Sequence, residues 1–208
     1  MYEILLKDDG SSAVTISGSI EFVPPNGGFP SFFSSSIELI ELLVLTTPPV
    51  EYIDKSIAEV EAKKYAFLIG QLPAFLRKDI HTSWVHKGNN RWGGGNYNIL
   101  IHTGAPFERD GIAEETLIHE AANTSLDSYH ANNNDWLDAQ RKDNHFISDY
   151  AEENPTRQDI AESFLAYIAV THRSDRISSE LKSTILKTIP NRIKYFDNQN
   201  FDLSIYLK

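Results

Sequence analysis

The sequence predicts an α+β domain in which a mixed, mostly antiparallel sheet packs against helices. Three observations favour this class. Short apolar runs bounded by turn residues occupy much of residues 1–50 and return at 80–101. Apolar residues recur with helical spacing over residues 53–76 and over most of the chain from residue 112. The chain of 208 residues is long enough for one domain with a substantial core, which we divide into a β-rich N-terminal segment at 1–50 and a main domain at 51–208.

The N-terminal segment predicts strands separated by turn residues. We expect strands at Tyr2–Leu6, Ala13–Ile16 and Ser19–Val23, because Asp-Asp-Gly, Ser-Gly and Pro-Pro-Asn-Gly-Gly bound them. Ser31–Ser36 is a link rich in serine and phenylalanine. Ile37–Leu45 fits either a strand or a helix, and Pro48-Pro49 ends it.

The main domain alternates helices and strands. Its first helix is predicted from Ile53 to Leu76, with Asp54 as N-cap and Pro73 ending or kinking it. Proline in the first turn suits a helix that starts at Asn154-Pro155-Thr156. Further elements are predicted as follows: a strand at Ile80–His86, a flexible glycine loop at Asn89–Gly95, a strand at Tyr97–Ile101, a helix from Ile112 to Asp127, a polar loop at Ser128–Asp135, a helix at Trp136–Lys142, irregular chain at Asn144–Tyr150, a helix from Asn154 to Thr171, and a helix from Ile177 to Ile189 stopped by Pro190.

Composition excludes several classes of function. A net charge of −10 argues against nucleic acid as a partner, because phosphate binding requires a basic surface. With no cysteine, the chain has no disulfide, thiolate metal ligand or cysteine nucleophile. No apolar run is long enough to span a membrane. Met1 is followed by no basic, signal-like region, so the protein is either intracellular or secreted after signal removal, and we favour the second.

The helix from Thr116 to Asp127 carries the main chemical signal. Its His119-Glu120 pair begins the zinc-protease pattern H-E-x-x-H, in which two histidines four residues apart point at one ion from the same helix face. The glutamate of that pattern polarises the metal-bound water. Asn123 stands where the second histidine is expected.

A second helix supplies the third ligand in the glutamate-type zinc peptidases. Here Gln158 stands at the expected ligand position, and Glu162 follows one turn later, where an acid would orient a ligand histidine. Zinc prefers imidazole, thiolate or carboxylate ligands, whereas an amide oxygen is a weak and uncharged donor. The sequence therefore predicts that zinc binds weakly or not at all.

Several segments carry a resemblance to a known family. The chain is similar to bacterial zinc-metallopeptidase-like proteins and, more distantly, to the peptidase domain of anthrax lethal factor, a gluzincin. The resemblance implies a zincin-like fold, His119 as a zinc ligand, Glu120 as general base, Glu162 as the acid that orients a ligand, and Tyr150 as an oxyanion donor. Asn123 and Gln158 depart from the family pattern at its other two ligand positions. The similar segments are Gly93–Asn96, Leu100–Gly104, Ile118–Asp127, Phe146–Ala151, Asn154–Phe164 and Thr188–Ile193.

Five other polar residues offer alternative roles. Asp127 could be a third metal ligand, although a polar contact beside the site is the stronger interpretation. His130 and His145 stand in polar loops and could reach the site, but solvated loop histidines are the stronger interpretation. His86 and His102 end two neighbouring strands. Because a strand beside the active helix can bind extended substrate, His102 could lie near the cleft, and a structural role is the alternative.

Two hypotheses of function follow. The first is a zinc-metallopeptidase-like hydrolase whose activity is impaired or absent, with Glu120 and Tyr150 as catalytic residues and His119, Asn123 and Gln158 at the metal positions. The second is a pseudo-peptidase that binds a peptide or protein without cleaving it. In both, the partner is a peptide or protein, and the acidic chain favours a neutral or basic one.

Overall fold

The computed structural model describes residues 2–6, 12–18, 40–46 and 55–204, with side chains described from residue 56 onward. The predicted strand at Ser19–Val23, the link at Ser31–Ser36 and the cap at Asp54 lie outside the described residues. The described part has an α+β fold, as predicted, and none of its helices is long and apolar enough to cross a membrane.

The described residues form one sheet and a larger group of helices. The strands are β1 (Tyr2–Leu6), β2 (Ser12–Gly18), β3 (Ile40–Thr46), β4 (Thr82–His86), β5 (Gly93–Gly95) and β6 (Asn98–His102). The helices are α1 (Lys55–Gly70), α2 (Ala74–Arg77), α3 (Ala113–Ser125), α4 (Asp127–His130), α5 (Asn134–Asp143), α6 (Asp149–Glu153), α7 (Asp159–Thr171), α8 (Ser179–Thr188) and α9 (Pro190–Asp197), with a 3₁₀ turn at Ser174–Arg176.

The sheet is mixed and has the strand order β1-β2-β3-β4-β6-β5. The pairs β1–β2, β2–β3 and β5–β6 are antiparallel, whereas β3–β4 and β4–β6 are parallel. Strand β3 covers residues 40–45 of the ambiguous segment Ile37–Leu45, so the strand interpretation is the right one there. Because β5 lies at one end of this order, it brings a sheet edge against helix α3.

The expectation of a flexible glycine loop at Asn89–Gly95 is wrong at its end, where Gly93–Gly95 form β5. The position of Gly94 requires a glycine, because a Cβ there would lie 2.0 Å from the Glu120 carbonyl oxygen. The strand therefore packs directly on the helix backbone, a close approach that only glycine permits. Asn96 and Tyr97 form the turn to β6 with φ of 50° and 60°, the left-handed conformation of two-residue hairpin turns.

Two helix boundaries differ from the sequence expectation near the middle of the chain. The first long helix ends at Gly70, and Pro73 becomes the N-cap of the short helix α2. The His-Glu helix ends at Ser125, two residues before the predicted Asp127, and a short α4 follows. The predicted loop Ser128–Asp135 is therefore partly helical, because α4 extends to His130 and α5 begins at Asn134.

Two prolines act differently from the prediction. The helix expected from Asn154 begins at Asp159, because residues 155–158 form a turn in which the Gln158 N–H donates to the Asn154 carbonyl. Pro190 ends α8, as expected, but it also starts α9 in the first-turn position that proline favours.

An aromatic cluster forms the core between the helices. Phe164 of α7 makes edge contacts with Phe196 of α9 and with Phe75, while Trp136 of α5 packs on Phe196. Phe201 stacks on Phe75 at 4.4 Å between ring centroids. The C-terminal aromatics Phe196 and Phe201 thus pack in this core, and the cluster fixes α7 behind the cleft described next.

Candidate functional site

A cleft of about 650 Å³ lies between α3, α7 and the glycine strand β5. All six residues that the sequence singled out as site residues line it: His119, Glu120, Asn123, Tyr150, Gln158 and Glu162. They come from three helices or helix ends, and His119 and Gln158 are 39 residues apart along the chain. The other lining residues are Arg91, Trp92, Gly93, Gly94, Phe107, Ile112, Glu115, Thr116 and Leu165.

Helix α3 supplies the floor of the cleft. His119 and Asn123 are four residues apart and therefore share one face. The opposite side of the helix is apolar, and Leu117, Ile118 and Ala121 are fully buried. Burial of that side turns His119, Glu120 and Asn123 toward the cleft, where each is partly buried.

Gln158 joins the floor from the start of α7. Its Oε1 lies 3.1 Å from His119 Nε2 and accepts a hydrogen bond of 3.3 Å from Asn123 Nδ2. The side chains at the three expected ligand positions thus converge on one oxygen atom. The Asn123 amide also contacts Glu120 Oε2 at 3.5 Å.

Glu162 faces His119 from one turn further along α7. Its Oε1 lies 3.5 Å from His119 Nδ1, and its Oε2 accepts a hydrogen bond of 3.1 Å from the Ser148 hydroxyl. Ser148 also caps α6, because its Oγ accepts from the Ala151 N–H. Both imidazole nitrogens of His119 therefore face acceptor oxygens, an arrangement that fixes the orientation of the ring.

Burial raises the pKa of the Glu120 carboxyl. His119, the Asn123 amide and the Gly94 N–H act in the opposite direction, because each favours the ionised form. The Gly94 contact comes from the strand that touches the helix backbone at this point, so the close approach of β5 also provides a donor to Glu120.

Tyr150 lines the cleft from α6 and is 46% exposed. Asp127 stands in the first turn of α4 and is not among the lining residues. Its Oδ1 is buried without a hydrogen-bond partner among the described residues, and burial raises its pKa to about 7. The structure therefore gives no support to Asp127 as a third ligand.

The remaining histidines lie outside the cleft lining. His130 Nδ1 lies 2.6 Å from the Tyr195 hydroxyl, within hydrogen-bonding distance, and His145 is exposed. His102 is buried, contacts the Arg91 carbonyl through Nδ1 at 3.1 Å, and stacks on His86. These contacts support a structural role for His102. The strand that lines the cleft is β5, not β6, on which His102 lies.

The donor set at the floor fits a zinc ion poorly. One imidazole nitrogen meets two neutral amide groups, and zinc prefers imidazole, thiolate or carboxylate. Within the described residues, no group of three His, Cys, Asp or Glu side chains is arranged to hold a metal ion. Gln158 Oε1 instead contacts the His119 imidazole and accepts a hydrogen bond from the Asn123 amide.

Three contributors to the site were missed from the sequence. Ser148 binds Glu162, Gly94 binds Glu120, and Glu115 lines the cleft one turn before His119. Two of them carried a signal. Ser148 precedes a short helix as an N-cap serine, and a run of three glycines is typical of a close backbone approach as well as of a loop.

Comparison of the chain with protein-family models, with curated proteins and with solved structures gives no match.

Proposed function

We propose that this chain is a zincin-like protein whose cleft binds a peptide or protein segment without hydrolysing it. The observation that carries the proposal is the convergence of His119 Nε2 and Asn123 Nδ2 on Gln158 Oε1. One imidazole and two amide side chains, linked by hydrogen bonds, stand where a zinc peptidase needs three ligands. Without zinc the site lacks the metal-activated water by which a zinc peptidase hydrolyses peptides.

The spacing of these side chains supports the zincin-like part of the proposal. Zinc–ligand bonds of about 2.0–2.1 Å in a tetrahedron put neighbouring ligand atoms about 3.3 Å apart. The contacts of Gln158 Oε1 with His119 and Asn123 are 3.1 and 3.3 Å. Two of the three separations between these side-chain tips are thus close to those of a metal site and equally to those of hydrogen bonds, and the chemistry of the side chains predicts weak or absent zinc binding.

The form of the cleft supports a peptide as the partner. Its volume of about 650 Å³ lies within the usual range for ligand sites and is sufficient for several side chains. Ile112 and Tyr150 expose 44% and 46% of their surface beside it, and the backbone of Gly93 and Gly94 forms part of its wall. Apolar contact area next to strand backbone is suited to an extended peptide.

Metal content and peptide binding test the proposal together. Protein purified without chelator and dialysed should contain almost no zinc by plasma-emission analysis. It should bind a mixed pool of capped pentapeptides saturably by fluorescence anisotropy, and the pool should remain uncleaved by mass spectrometry. Treatment with EDTA should leave binding unchanged. Failure to bind any peptide would overturn the proposal.

A second candidate is a zinc-metallopeptidase-like hydrolase of low activity. The partly buried Glu120 carboxyl and the exposed Tyr150, which line one cleft, favour it as potential base and oxyanion donor. A zinc content close to one per chain, together with EDTA-sensitive cleavage of the peptide pool, would select this candidate.

A further inference from the structure

The charged side chains of the cleft are mostly acidic. Glu115 and Glu120 come from α3 and Glu162 from α7, whereas Arg91 is the lining residue with a permanent positive charge. We infer that the cleft selects peptides carrying a lysine or arginine side chain, whose cationic group lies against Glu115 and Glu120. This inference rests on the proposed peptide-binding function and names the class of peptide.

Within the described part of the chain, Glu115 and Glu120, two of the three acids of α3, have no lysine or arginine partner. Among the described residues, the Glu115 carboxylate makes no hydrogen bond or ion pair, and Glu120 is contacted by neutral donors, the Asn123 amide and the Gly94 N–H. Glu162 differs, because His119 and Ser148 already occupy its oxygens. A partly buried carboxylate without a counter-ion gains most from a cationic ligand.

A separate observation at the floor also calls for a donor. Asn123 Oδ1 is a buried acceptor without a hydrogen-bond partner among the described residues. A 180° flip of the amide would not remedy this, because Nδ2 donates to Glu120 and Gln158 and the flip would place an oxygen against the Glu120 carboxylate. The floor therefore has more acceptors than donors, which an ammonium or guanidinium group would balance.

The apolar wall of the cleft suits the rest of such a side chain. Phe107, Ile112 and Leu165 line the cleft together with the acids, and Ile112 is 44% exposed. Lysine and arginine place their methylene stems on apolar surface while the charged end reaches a polar group. One side chain can thus cover the wall and reach the floor.

Four capped peptide pools test the inference. Each pool is N-acetylated and C-amidated, which removes terminal charges, and has Lys, Arg, Gln or Glu fixed at the central position of a pentapeptide with the other positions mixed. The Lys and Arg pools should bind about tenfold more tightly than the Gln pool, a difference of about 1.4 kcal/mol. Raising the ionic strength from about 0.05 to about 0.5 M should reduce that preference.

Two variants test whether Glu115 and Glu120 cause the preference for cationic peptides. Glu115→Gln combined with Glu120→Gln should reduce the preference for Lys over Gln, measured as the ratio of the two dissociation constants of the same variant, to less than about threefold. Glu180→Gln on the exposed face of α8 is the control and should retain the wild-type preference. Equal binding of the four pools, or tightest binding of the Glu pool, would overturn the inference and leave the proposed function standing. Absence of binding by every pool would overturn both.

Discussion

At the residue scale, the weak zinc affinity expected of the cleft floor depends on the amide side chains of Asn123 and Gln158. Asn123→His combined with Gln158→Glu should raise zinc affinity by orders of magnitude, because it replaces two weak donors with imidazole and carboxylate at a spacing already near that of a zinc site. Titration against a chromophoric zinc chelator measures the change. Zinc should also raise the melting temperature of the variant and not that of the wild type.

The control for this variant removes the one imidazole already present. His119→Ala added to the double variant should return zinc affinity toward the wild-type level, since the two introduced side chains alone hold zinc poorly. A double variant that remains metal-free would mean that these three positions do not form the ligand set. The outcome thus tests the site assignment independently of any activity.

Asp127 provides a second prediction at the residue scale, a loss of stability as pH rises. Burial raises the pKa of its carboxyl from 3.8 to about 7, although Arg157 opposes the shift. Between about pH 4 and pH 7 the unfolded chain releases this proton while the folded chain retains it, so the free energy of unfolding falls with increasing pH. The contribution is about 1.4 kcal/mol per pH unit, or a few kcal/mol across the window.

Asp127→Asn removes this titration. Compared with wild type, the variant should be more stable at pH 8 by up to a few kcal/mol and nearly equal at pH 4, as measured by urea unfolding at several pH values. Asp138→Asn, at a carboxylate that is 52% exposed, is the control and should leave the pH profile close to that of wild type. Parallel profiles for wild type and Asp127→Asn would contradict the prediction.

Much of the candidate site could be predicted at the residue scale. The His119-Glu120 pair and the Gln158–Glu162 spacing bring their residues to one cleft because helical periodicity fixes which side chains share a face. The contacts of Ser148 and Gly94 could not be predicted in the same way. They depend on how a loop and a strand dock on the helices, and neither has a periodic pattern.

At the element scale, the packing of β5 on α3 depends on Gly94. Gly94→Ala would place a Cβ 2.0 Å from the Glu120 carbonyl oxygen, and since that atom is helix backbone the strand has to move. We expect the free energy of unfolding to fall by about 1–3 kcal/mol, the usual cost of overpacking. Urea unfolding at constant pH measures the loss.

The neighbouring glycine is a matched control. At Gly93 a Cβ would lie 3.9 Å from Leu100 Cβ, an ordinary van der Waals contact. Gly93→Ala should therefore change the free energy of unfolding by no more than about 0.5 kcal/mol. Equal losses in the two variants would show that strand flexibility, rather than close approach to α3, determines the stability of this edge.

The elements themselves were predictable to different degrees. The helices with apolar periodicity, α1, α3, α5, α7 and α8, occur where the sequence expects them, with boundaries shifted by a few residues. β5 was missed because three glycines carry no alternating side chains, so only backbone pairing with β6 defines it. The start of α7 was misplaced because residues 155–158 form a turn despite the favourable proline.

At the scale of the whole molecule, a buried ionic network joins three helices behind the cleft. Arg192 of α9 is fully buried, donates through Nη1 to Asp143 Oδ2 at 3.1 Å, and donates through Nε to Asp159 Oδ2 at 2.9 Å. Asp143 ends α5 and Asp159 begins α7. The network therefore fixes the start of α7, where the adjacent Gln158 reaches into the cleft.

Additional hydrogen bonds connect the network to the rest of the site. Arg192 Nη1 also donates to the His145 carbonyl at 2.9 Å, which holds the segment that leads to Ser148. Gln140 donates to Asp159 Oδ2 at 2.8 Å. Burial raises the pKa of Asp159, and Arg192 acts in the opposite direction. Loss of Arg192 would thus leave two buried carboxylates without their main counter-charge.

Arg192→Met should lower the free energy of unfolding by about 3–5 kcal/mol, the usual cost of removing one partner of a buried ion pair. The loss should grow as pH rises, because without the Arg192 guanidinium burial raises the pKa of the Asp159 carboxyl further, so that this group ionises in the unfolded chain more readily than in the folded one. Arg141→Met, at an exposed arginine paired with Asp138, is the matched control and should change stability little.

Asp143→Asn and Asp159→Asn added to Arg192→Met should recover part of the loss, since neutral amides are less costly to bury. If they recover none, the network contributes through the packing of the Arg192 side chain on Phe146 and Trp136 rather than through its charge.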